Sequence, residues 1–166
     1  MPKKDRAKLT KVSVSLPFGI GSAEWMADSS ERRAAWSLYV EMVTRIAVEP
    51  LGAEEGLDRE ALSSLYSLFG TTRAILREAG PDVGVSRESV GGIAITVLNR
   101  GLRPFLAKWH PELADWETTR KSRESARGRE RKWPKHETFR SELTRLRNDL
   151  SQYAKALALI AGVRPD

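Results

Sequence analysis

The densest group of residues able to do chemistry in this chain is Asn99, Arg103 and His110. On a helix Arg103 and His110, seven positions apart, share one face, and Asn99 lies one turn before Arg103. A carboxamide, a guanidinium and an imidazole on one face suit a phosphodiester. The His would act as general base toward a 2′-hydroxyl and the Arg would stabilise the charged transition state. Arg131 and His136 offer a second pairing, with four residues between them. The alternative reading is structural: Arg103 and His110 cap or line the end of a helical bundle, while Phe105, Leu106 and Trp109 pack inward.

The spacing resembles the Arg-x(4 to 6)-His motif of HEPN-type all-helical ribonuclease domains, with six residues between Arg103 and His110. Pro104 and Lys132 follow the two arginines, where that motif usually has a small polar residue. The resemblance implies an RNA-binding protein or metal-independent ribonuclease, with Arg103, His110 and Asn99 as its catalytic residues.

Other chemistries have no foothold. There is no cysteine, so no disulfide framework and no thiolate zinc site, and two histidines are too few for most histidine-rich metal centres. A protein without metal or cofactor is the expectation. No GxxxxGK[ST] loop, GxSxG elbow or HExxH pair occurs, and Gly19-Ile20-Gly21 lacks the third glycine of a dinucleotide fingerprint. Glu54 and Glu55 sit in a polar loop and read as solvation.

The formal charge of +6 is unevenly spread. Residues 120–135 carry Arg120, Lys121, Arg123, Arg127, Arg129, Arg131, Lys132 and Lys135 against Glu124 and Glu130, a local +6. Residues 3–11 add a local +4, which leaves the rest of the chain at −4. A basic segment attracts polyanions, and Trp116 and Trp133 bracket this one with rings on which bases could stack. Arg120, Lys121, Arg123, Arg127, Arg129, Arg131, Lys132 and Trp133 are therefore the candidate nucleic-acid contacts. The plainer reading is a solvated linker between helices.

The 166 residues suit one domain of ordinary size. Val12, Val14 and Leu16 alternate with serines as in a half-buried strand, which folds back on Ser22 to Met26 as a hairpin, lies along the helices, or adds to another chain. Asp28 and Glu31 resemble a capping box ahead of Ala35, Leu38, Tyr39, Met42 and Ile46, a helix running toward Pro50. Asp58 caps a second helix carrying Leu62, Leu65, Phe69, Thr72 and Leu76, and Gly80-Pro81 stops it. A third helix holds Val90, Ile93, Ala94, Val97 and Leu98. Pro104 predicts a kink near residues 100–103, and His110-Pro111 either ends that helix or starts a short extra turn through Trp116. The last helix has Phe139, Leu143, Leu146, Leu150, Tyr153, Leu157 and Ile160 in strict 4, 3 steps, a seam for bundle packing or for a second copy. Trp25, Trp36 and Trp109 belong to the core or its rim.

These elements predict an all-α antiparallel four-helix bundle. An extended basic arm (1–27) precedes a single helical domain (28–162), and a basic connecting loop (117–134) lies before the last helix. The charged start MPKKDRAKLTK and the lack of a long apolar run predict a cytoplasmic protein without a membrane segment. The segments ERRAAWSLYVEMVTR (31–45), LSSLYSLF (62–69) and LNRGLRPFLAKWH (98–110) resemble a family of uncharacterised bacterial all-helical proteins of conflict or phage-defence gene clusters. That resemblance implies a partner-dependent role. The leading expectation is a non-enzymatic interaction module that binds a protein partner, or itself through the helical seam. RNA binding of the HEPN kind is the second.

Overall fold

The computed structural model describes residues 11–45, 48, 51–52 and 54–165. The alternating segment forms β1 (Lys11–Leu16), paired antiparallel with β2 (Gly21–Met26), with Val14 opposite Ala23. Val14, Leu16 and Trp25 turn inward, and the serines between them face solvent. The connecting turn has positive φ at Phe18 (59°) and Gly19 (72°), the backbone hand that matches the twist of a two-residue hairpin. β1 lies on the last helix, where Gln152 Nε2 donates to Ser15 Oγ at 2.9 Å. The all-α expectation is corrected accordingly: the chain is mostly helical with a small two-stranded sheet.

Helix α1 (Ser29–Val43) is capped by Asp28, which accepts from the Glu31 N–H at 2.8 Å. The Glu31 carboxylate reaches away from the cap, accepting from Trp25 Nε1 at 3.3 Å and from the Val90 N–H at 3.2 Å, so it ties the hairpin to the start of a later helix. Ala34, Ala35, Leu38 and Met42 face the core. Trp36 is 48% exposed, contrary to its expected place at the core or its rim, because it lies on the opposite side of α1 from that stripe. Ile46, Pro50 and the basic residues before Lys11 lie outside the described residues.

Helix α2 (Asp58–Ala79) begins at Asp58, so this residue is not its cap; Leu57 holds the cap position without a side-chain bond. Gly80 (φ 85°) ends α2 and Pro81 opens a 3-10 turn. Ser89 caps α3 (Val90–Thr96), accepting from the Gly92 N–H at 3.1 Å. A π-helical turn (Val97–Leu102) then leads into α4 (Arg103–Glu117). Here the Arg103 N–H bonds the Leu98 carbonyl five residues back. Pro104 has no N–H and crowds the preceding turn, and the wider π turn accommodates it where the kink was predicted. The helix does not stop at Pro111; it continues to Glu117 with that exposed proline inside it.

The basic stretch contains a short helix α5 (Ala126–Arg131), capped by Ser125. Helix α6 (His136–Ala161) ends at Gly162 in the left-handed conformation. All seven residues of its 4, 3 seam are buried, chiefly under α1 and β1. A fully buried Leu contributes about 1.5–3 kcal/mol relative to an exposed one. The seam is therefore spent inside the chain. Trp109, Trp133 and Phe139 form an aromatic corner with centroids 5.4–5.9 Å apart. Among the described residues no helix is long and apolar enough to cross a membrane.

Candidate functional site

Helix α2 has two working faces. One carries Ala61, Leu62, Leu65, Leu68 and Thr72 into the core. The other carries Tyr66, Phe69, Gly70 and Arg73, spaced i, i+3, i+4 and i+7. Helix α4 repeats that spacing with Arg103, Leu106, Ala107 and His110, and the two stripes face each other across an open groove of about 780 Å³. Phe69 and Leu106 make its floor apolar. Gly70 and Ala107 keep it open: a β-carbon built on Gly70 meets nothing within 4 Å.

The groove is cationic. The guanidinium carbons of Arg73 and Arg103 lie 5.9 and 5.4 Å from the Phe69 ring centroid. Arg103 Nε donates to Asn99 Oδ1 at 3.1 Å, which leaves its terminal nitrogens as further donors. None of the described residues lining the groove is acidic.

At the other end the His110 ring stacks on Tyr66, with centroids 6.3 Å apart and planes 15° apart. Its Nδ1 lies 2.9 Å from Arg59 Nη1. Arg59 is held in turn by Glu117, its Nε donating to both carboxylate oxygens at 3.1 Å. A guanidinium only donates, so Nδ1 is the acceptor and the ring proton of the neutral imidazole sits on Nε2. The structure thus puts Arg103, bonded to Asn99, and His110 on one groove but toward opposite ends, and it binds the lone pair of the imidazole to a neighbour.

In the second pairing both residues line one small cavity, but each is held by a different carboxylate. Arg131 bonds the Glu54 carboxylate. His136 Nδ1 lies 2.5 Å from Asp58 Oδ2, and Arg140 Nε donates to Asp58 Oδ1 at 2.6 Å. Asp58 is fully buried, so the Arg140 guanidinium compensates a charge removed from water while the His136 ring bonds the other carboxylate oxygen. Beside it the Glu130 carboxylate accepts from the N–H groups of Asp58 at 2.6 Å and Arg59 at 3.0 Å, capping α2 from the far side of the sequence. Burial pushes the Glu130 carboxyl above the usual carboxylate range, against the pull of those two N–H groups.

Most of the candidate nucleic-acid residues are engaged with the protein itself. Arg127 Nη2 donates to the Glu54 carbonyl at 2.8 Å, and Lys132 pairs with Glu124 at 3.2 Å. Arg129 covers the Trp116 ring at 3.5 Å, bonds the Trp116 carbonyl and bonds Thr119. Trp133, offered to a base by its place in the sequence, is only 5% exposed, because Trp109 and Phe139 enclose it. Arg120, Lys121 and Arg123 are exposed, with no side-chain partner among the described residues.

Sequence reasoning missed Tyr66, Gly70 and Arg73 as site residues, and Arg59 as the partner of His110. A signal for the first three was present: a glycine within a long helix, flanked at helical spacing by an aromatic and an arginine off the core stripe. Among the described residues no cluster of three His, Asp or Glu is arranged to hold a metal. No family model, curated protein or solved structure matches this chain.

Proposed function

We propose that this chain is a non-enzymatic helical interaction module, an adaptor that binds a protein partner or a second copy of itself. The observation that carries this reading is the bond from Arg59 to His110 Nδ1. A general base needs a free lone pair, and in this arrangement Nδ1 is occupied while Nε2 holds the proton. Among the described residues lining the groove there is no other imidazole and no carboxylate to take the proton. On α1, Trp36 and Val40 are exposed at i and i+4, and Tyr39 and Val43 beside them are half-buried against the core. Such an exposed apolar pair supports contact with another protein.

In this reading α1, α2, the α3 to α4 run and α6 act as a four-helix bundle, with the basic segment as a tie across one end. The setting is the one implied by the sequence resemblance, a bacterial conflict or defence system in the cytoplasm. The runner-up is an RNA-binding protein of the HEPN kind, favoured by the exposed cations Arg120, Lys121 and Arg123.

Capture from native host cells with the tagged chain, with and without nuclease, separates the two. A stoichiometric protein partner that survives nuclease is the expected result. Nuclease-sensitive RNA, together with RNA cleavage lost in His110→Ala while the helical circular-dichroism signal is kept, would overturn the proposal.

A further inference from the structure

Folding alone does not account for the α2/α4 groove. Phe69 is left half-buried with two guanidiniums over it, and Tyr66, on the same stripe, is 66% exposed. Two arginines without a facing carboxylate repel each other, and closing the groove on them would bury charge without a partner. An incoming anion relieves both problems, since guanidinium forks match phosphate and carboxylate oxygens.

The opposite end has a different chemistry. Tyr66 and His110 present stacked rings, and the Nε2–H left by the Arg59 bond is a donor there, as is the Tyr66 hydroxyl. A flat ring with an acceptor at its edge fits these groups, whereas a hydrocarbon tail would leave them unpaired. From Arg73 to Tyr66 is seven helical residues, about 10 Å at 1.5 Å per residue. The cavity of about 780 Å³ falls within the ~300–1,000 Å³ of small-molecule sites.

We propose that the α2/α4 groove binds a small aromatic anion, a flat ring carrying a phosphate or carboxylate. The anion sits between Arg73 and Arg103, and the ring lies toward Tyr66 and His110. This goes beyond the interaction-module reading and makes the groove the module's ligand site. The bond between Arg103 and Asn99 holds the guanidinium in place before the ligand arrives, which lowers the entropic cost of binding.

The test uses the full chain and four probes followed through backbone amide shifts. The probes are 1-naphthyl phosphate, cyclohexyl phosphate, inorganic phosphate and benzyl alcohol. Naphthyl phosphate should saturate, with a Kd of about 1 mM or below, and move the amides of residues 66–73 and 103–110. Cyclohexyl phosphate should bind at least several-fold more weakly, and the other two should not saturate. Arg73→Ala and Arg103→Ala should each lower the affinity about tenfold. Gly70→Leu, whose side chain projects into empty space, should stay folded and abolish binding.

Equal binding of inorganic phosphate, or naphthyl phosphate binding retained by Gly70→Leu, would overturn the proposal. If poly-glutamate or an RNA oligonucleotide moves the groove amides while naphthyl phosphate does not, the small-ligand proposal fails. Poly-glutamate would then leave the interaction-module reading standing, and RNA would favour the runner-up.

Discussion

Phe18, at the tip of the hairpin, stands against Gly101 so closely that a β-carbon on the glycine would lie 2.5 Å from the phenylalanine ring. Gly101 is in the π turn that delivers Arg103 to the groove, so the hairpin braces the site from behind. A left-handed Phe18 backbone costs about 1–2 kcal/mol, and this contact helps to hold it there. Gly101→Ala forces the ring or the π turn to move. The expected loss is about 1–3 kcal/mol in urea unfolding, typical of overpacking. The more conservative Phe18→Leu should lose less, and combining it with Gly101→Ala should recover part of the penalty.

Gly70 gives the opposite result. It is exposed in the interior of α2, at helical φ and with open space around its missing side chain. Gly70→Ala should raise stability by about 0.5–1 kcal/mol, because alanine restricts the unfolded chain and suits the helix. Thermal melting followed at 222 nm checks this; a lower melting temperature would mean that the backbone there is not an ordinary helix.

Glu142 supplies a pH dependence. The Lys108 ammonium bonds its carboxylate at 2.7 Å and, with the Trp109 indole N–H at 2.7 Å, holds it below its ordinary 4.5. Near that pH the unfolded chain takes up the proton more readily than the folded one, so stability rises with pH through this window. The contribution is present above the ordinary value and disappears as pH falls through the folded one. The melting temperature of the native chain should therefore exceed that of Glu142→Gln at pH 7, and the gap should close as the pH is lowered below the ordinary 4.5. A gap that does not change with pH would assign the effect to packing.

Tyr153 is fully buried in α6, and its hydroxyl has no hydrogen-bond partner among the described residues. Burial pushes its phenol far above the usual range. Removing an unpaired buried hydroxyl is neutral or favourable, so Tyr153→Phe should hold or raise stability by up to about 1 kcal/mol. A clear destabilisation in guanidinium unfolding would reveal a partner for that oxygen.

What the sequence made legible was whatever local spacing encodes. The seven seam residues of α6, the Asp28 cap of α1 and the disturbance ahead of Pro104 all follow from intervals of three or four residues or from a single ring. Arg103 and His110 sharing one face follows from the same arithmetic. Trp133 was illegible because its burial depends on Trp109 of α4, and it stands among lysines and arginines in a connection between helices. The Asp58 cap failed for a similar reason. Glu130, 72 residues later, takes the amides of that turn, and Asp58 turns instead to His136 and Arg140. The bond between Arg59 and His110 spans 51 positions, and nothing near either residue announces it.

The Glu130 cap also sets a timetable. When α2 is synthesised, the carboxylate that satisfies its first two amides has not yet been made, and neither have the partners of Asp58. Until the ribosome has passed residue 140, the start of this helix has only water for those bonds, so its first turn can complete late even though its residues come early.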